Sequence, residues 1–109
     1  MSQYQCLPLA QFDALAQQPG VQIVDIRDPN AFAAGHIPGA VHLHNGNLAD
    51  YILNAEFEDP LVVVCYHGIS SQGAAGYLAE QGFEQVYSLD GGYEGWAKAK
   101  GLWPPGPAQ

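Results

Sequence analysis

Residues 61–65, Leu-Val-Val-Val-Cys, constrain the fold more than any other stretch of this chain. Successive side chains of a strand point to opposite sides of the sheet, so a strand with one wet face alternates apolar and polar residues. This run has no polar position, and a strand made from it must be covered on both faces. Sheets covered on both faces are parallel ones, whose strands are joined by helical crossovers.

The rest of the chain supplies strands and crossovers in alternation. After a short start at Tyr4 and Cys6, Leu9, Phe12, Leu15 and Ala16 recur at helical spacing, and Pro19-Gly20 ends that helix. VQIVDI, residues 21–26, predicts a short buried strand stopped by Asp28-Pro29, and PNAFAAG a short helix with Pro29 in its first turn. Gly39–Leu43 gives a weak strand signal and NLADYILNAEF a helix. Beyond the 61–65 run, SSQGAAGYLAEQG predicts a helix with serine near its start and Gly82 past its end. VYSL is a further strand, GYEGWAKAKG a last helix, and WPPGPAQ has too many prolines to continue it. The expected fold class is α/β, with one domain over 1–103 and a proline-rich, disordered tail over 104–109.

The 109 residues fit a single domain whose folding hides roughly two-thirds of the unfolded surface, so a core needs neither disulfides nor metal. Eleven acidic residues face three basic ones, Arg27, Lys98 and Lys100, for a formal charge of −8. Binding to nucleic acid needs clustered cations that displace phosphate counterions, and an anionic membrane surface needs the same. No nucleic acid and no membrane are therefore expected as partners. Two cysteines do not make a secreted disulfide scaffold, the first twenty residues lack a basic segment ahead of an apolar one, and no apolar window reaches the ~20 residues of a membrane span. A cytoplasmic location is expected.

Chemistry concentrates after the 61–65 run, where Cys65 is followed by Tyr-His-Gly-Ile-Ser-Ser. In open α/β sheets ligands bind outside the carboxyl ends of strands. A loop entering a helix can gather backbone N–H groups into a cup for an anion, with Gly68 relaxing the backbone and Ser70 and Ser71 small enough to allow convergence. A thiol at the mouth of such a cup loses its proton more readily. Lowering a thiol pKa by about two units takes ~2.7 kcal/mol, within reach of a helix terminus aided by aligned N–H bonds. Cys65 is thus expected to be a nucleophile, whereas nothing near Cys6 would lower its pKa.

Several chemistries are disfavoured. A Cys-x5-Arg phosphatase loop would need arginine at position 71, which is serine. There is no GxxxxGK[ST] and no GxGxxG for a nucleotide cofactor, and no CxxC for a thioredoxin-like centre. His42-Leu-His44 lacks a third ligand type at a fitting spacing, so neither metal nor cofactor is expected.

Four ordered motifs carry a family resemblance: Val24-Asp-Ile-Arg-Asp28, Phe32-Ala-Ala-Gly-His-Ile-Pro-Gly-Ala40, Cys65-Tyr-His-Gly-Ile-Ser70 and Asp90-Gly-Gly-Tyr-Glu-Gly-Trp96. Together they are spread across residues 24–96, and the chain resembles the rhodaneses, thiosulfate sulfurtransferases, in particular their small single-domain type. The resemblance implies a twisted parallel sheet of about five strands with helices on both faces. It implies a ping-pong reaction in which Cys65 takes the outer sulfur of thiosulfate and passes it to cyanide or to a dithiol protein of the thioredoxin kind. The loop residues Tyr66, His67, Gly68, Ile69, Ser70 and Ser71 would bind the donor and the persulfide, and Asp25, Arg27 and His36 would brace the site. Many rhodaneses carry a cation inside this loop. Positions 66–70 hold none here, so weak, salt-sensitive capture of thiosulfate is expected. The alternative is a non-catalytic rhodanese-like binding or sulfur-relay module; such modules commonly lack the loop nucleophile, and this chain keeps it.

Overall fold

The computed structural model describes residues 3–104; from residue 105 onward the expected tail lies outside the described residues. Five strands and five helices alternate: β1 (Gln5–Leu7), α1 (Leu9–Ala16), β2 (Gln22–Asp25), α2 (Pro29–Ala34), β3 (Val41–His42), α3 (Leu48–Asn54), β4 (Leu61–Val64), α4 (Ser70–Glu80), β5 (Val86–Leu89) and α5 (Gly92–Ala99). All strand pairs are parallel, in the order β1-β5-β4-β2-β3. This is the α/β class expected from the sequence, a five-stranded parallel sheet, and β4, the wholly apolar run, is its central strand.

Every residue of β4 is buried, and its pleat divides the core into two layers. Val62 and Val64 pack with Phe12 of α1 and Trp96 and Ala97 of α5. Leu61 and Val63 pack with Ala75, Leu78 and Ala79 of α4 and with Phe83, against which Tyr51 and Ile52 of α3 rest. The absence of a polar position in β4 follows from this: each face meets a different helical layer.

One element was not expected, and one helix start is capped in an unusual way. Gln5–Leu7 pairs with β5 as an edge strand, although three residues are too few to show a period. Ser70 is already helical, and Ile69 occupies the position before α4 without a capping side chain. The donor a serine would have satisfied has a different acceptor, the Cys65 sulfur.

The chain runs outward from β2 to β3, then returns to the other side of β2 for β4 and continues to β5. The order therefore reverses between β2 and β4. Crevices at such reversals, outside the carboxyl ends of the strands, are the binding places of open α/β sheets. Asp25 pairs in register with Val64, so the segments leaving β2 and β4 emerge side by side there. Among the described residues no helix is long and apolar enough to cross a membrane.

Candidate active site

Cys65 follows β4 directly and is 3% exposed. Its Sγ accepts hydrogen bonds from the Gly68 N–H at 3.1 Å and the Ser71 N–H at 3.2 Å, and lies 3.2 Å from the Ser71 hydroxyl. The Ser71 N–H belongs to the first turn of α4, where an α-helix has no internal acceptor to offer. Burial pushes the Cys65 thiol up. The Ser71 hydroxyl and the N–H groups of Ser71, Gly68 and His67 outweigh it and hold the thiol below its ordinary range. Ser71 is fully buried, and its hydroxyl is fixed at 2.7 Å from that of Ser88 on β5.

The loop needs glycine at two places. Gly68 has φ +84°, and a side chain there would meet the backbone of Leu89 and Gly91. Gly92, the first residue of α5, has φ +60°, and a Cβ there would lie 2.6 Å from the Cys65 and Tyr66 carbonyl oxygens. That approach lets the Tyr93 N–H bond Cys65 O at 2.8 Å and the Glu94 N–H bond Tyr66 O at 3.1 Å. The free donors of the α5 N-terminus thus hold the loop from below.

Side chains complete the surroundings. Asp25 and Arg27 form a buried ion pair: Arg27 Nε reaches both Asp25 oxygens at 3.0 Å, and Nη2 reaches Oδ2 at 2.8 Å. Nη2 also donates to Gly35 O at 2.6 Å, and the guanidinium lies 4.0 Å from the centre of the Tyr93 ring. Arg27 is therefore engaged in holding β2, the α2 exit and α5 together. The Tyr66 hydroxyl donates to Asp28, which caps α2 by accepting from the Ala31 N–H. That bond holds the Asp28 carboxyl below the usual carboxylate range. His67 Nε2 lies 2.9 Å from Glu94 Oε1, and Glu94 Oε2 lies 2.9 Å from Lys98 Nζ. His36 stacks on Phe32, and its Nδ1 lies 2.8 Å from Phe32 O. A groove of about 740 Å³ opens beside the loop, lined among others by Arg27, His36, Tyr66, Tyr93 and Trp103.

Of the loop residues, Gly68 and Ser71 converge on the sulfur, whereas Ile69 is 74% exposed and Ser70 faces solvent. Cys6 is exposed on β1, away from this convergence. The Ser71–Ser88 contact, the Asp28 clasp on Tyr66 and the His67–Glu94–Lys98 chain were not predicted. Only Ser88 left a trace in the sequence, as a polar residue inside an apolar strand.

A family model described as a rhodanese-like domain matches residues 9–99. The chain belongs to the rhodanese family. Its relatives include a thiosulfate sulfurtransferase GlpE of Shewanella oneidensis, 57% identical over 91% of this chain and 98% of that protein. A thiosulfate sulfurtransferase GlpE of Pseudoalteromonas translucida is 54% identical over 85% of this chain and 89% of its own length. Among solved structures, a Rhodopseudomonas palustris protein of unknown function, described as a possible tyrosine phosphatase, superposes with a TM-score of 0.75 at 31% identity, covering 97% of this chain and 85% of that one. In this rhodanese domain no arginine follows Cys65, so the loop offers no cationic clamp for a phosphate ester.

Proposed function

We propose that the chain is a thiosulfate sulfurtransferase that carries sulfur as a Cys65 persulfide. The observation that carries this reading is the convergence of the Gly68 N–H, the Ser71 N–H and the Ser71 hydroxyl on one buried sulfur. The relatives named above, thiosulfate sulfurtransferases over nearly their whole length, support it.

In the first half-reaction the Cys65 thiolate attacks the outer sulfur of thiosulfate. A sulfur–sulfur bond forms to Cys65, the bond to the sulfonate sulfur breaks, and sulfite leaves with its electron pair. The total charge, −3, is conserved as −1 on the persulfide and −2 on sulfite. Neither thiolate nor sulfite needs a proton, so no general acid is required, and the donors around Sγ can stabilise the terminal sulfur of the persulfide. In the second half-reaction cyanide takes that sulfur as thiocyanate, or a dithiol protein takes it as a persulfide, and the Cys65 thiolate returns. Such chemistry suits a cytoplasm that keeps dithiol acceptors reduced. Asp25, Arg27 and His36 brace the loop without touching the sulfur.

Incubation with thiosulfate followed by intact-mass and peptide mapping tests this. One added sulfur on Cys65, absent in Cys65→Ser and never on Cys6, is expected. If Cys65 stays unmodified at saturating thiosulfate, the reading fails and a binding module is what remains.

A further inference from the structure

The chain has three cations, and each is already engaged: Arg27 with Asp25, Lys98 with Glu94 and Lys100 with Asp13. A donor with two negative charges must nevertheless approach the Cys65 loop. Within that loop His67 is the only side chain that can become positive, and it is 64% exposed at the loop rim.

Its setting decides what a proton there would do. On the α5 side His67 meets Glu94, whose other oxygen holds Lys98; within the loop it neighbours Cys65 and the Tyr66 ring, 6.4 Å away. Across the groove lie His36 and Arg27, the latter neutralised by Asp25. Glu94 is held below the usual carboxylate range, chiefly by Lys98, so it stays anionic. With His67 neutral, the three-member chain His67–Glu94–Lys98 sums to zero. With His67 protonated it sums to +1, because Lys98 already balances Glu94. The proton is then available to an incoming anion, and Glu94 fixes the ring that carries it.

We propose that His67 is a proton-gated capture residue for anionic sulfur donors, poised by Glu94 with Lys98 as the compensating charge. This rests on the sulfur-transfer reading and adds to it the group that replaces a fixed loop cation. Histidine is the side chain whose charge changes most readily near neutrality, which is what lets a proton on it act as a gate.

The test is kcat/KM for thiosulfate from pH 5.5 to 8.5 in wild type, His67→Gln and Glu94→Gln. Each value is first divided by the Cys65 thiolate fraction, measured in the same variant from the pH dependence of alkylation, and the wild type is then divided by His67→Gln. The ratio is expected to rise about three- to tenfold as pH falls, the range for one unit charge acting on a dianion in screened water. Glu94→Gln releases the charge of Lys98, so at pH 8 it should use thiosulfate more efficiently than wild type, whereas a purely bracing role would make it worse. A flat ratio, or a weaker Glu94→Gln at pH 8, overturns the proposal while Cys65 still gains sulfur. A wild type that gains no sulfur at any pH overturns the sulfurtransferase reading and this inference with it.

Discussion

Cys65 is surrounded by donors that favour its charged form, and one of them, the Ser71 hydroxyl, can be removed without touching the backbone. Hydrogen bonds to charged groups contribute about 1.5–3 kcal/mol, so Ser71→Ala should raise the Cys65 pKa and slow alkylation at neutral pH roughly tenfold or more. The same substitution orphans the buried Ser88 hydroxyl, whose partner is Ser71. Ser71→Ala should therefore cost stability, and Ser71→Ala with Ser88→Ala should recover part of it in urea unfolding while the thiol stays sluggish. The thiol also links stability to pH. Its folded pKa lies below its ordinary one, so the folded state gives up the proton first and binds fewer protons than the unfolded chain between the two values. Stability should rise with pH through that window, be fully gained above about 8.5, and be lost as pH falls through the folded pKa. The difference between wild type and Cys65→Ala across pH 6–9 reads this slope directly, since other groups titrate alike in both.

At the scale of elements, the loop is set by two helix N-termini with different tasks. The first turn of α4 donates to the sulfur, and the first turn of α5 donates to the loop carbonyls beneath it. The second task depends on Gly92, where both the positive φ and the backbone at 2.6 Å forbid a side chain. Gly92→Ala should cost at least ~2 kcal/mol in unfolding and lower sulfur transfer sharply, because relieving the clash withdraws α5 from the loop. Gly73, inside α4 with nothing within 4 Å of an added Cβ, is the matched control. Gly73→Ala should stabilise by about 0.5–1 kcal/mol and leave transfer intact, because only helix propensity changes. These glycines are alike in the sequence. The difference lies in which element passes beside each.

For the molecule as a whole, a charge of −8 opposes a dianion while the contacts that hold it are local. Charges farther away than about 8 Å are largely screened at physiological salt, so the repulsion acts mainly on encounter. In His67→Gln, whose loop cannot gain a proton, the second-order rate of Cys65 sulfuration should increase as salt is raised from about 0.01 M to 0.15 M; a decrease would show that attraction at the site dominates. The apolar run 61–64, the helical spacings on either side and the cysteine closing the run sufficed to predict a buried parallel sheet with a nucleophile at a strand end, because periodicity and turn chemistry are local properties of the chain. The partners of that cysteine were another matter. Ser71 and Ser88 are 17 residues apart, His67 and Glu94 27, and Tyr66 and Asp28 38. Each pair meets only because β4 lies between β2 and β5, an order that forms when both faces of the sheet are covered at once. The sequence by itself determined the class of fold and the placement of a cysteine at the end of its most apolar strand; the tertiary structure decided which groups surround that sulfur, since strand order is a property of the packed whole and no local window encodes it.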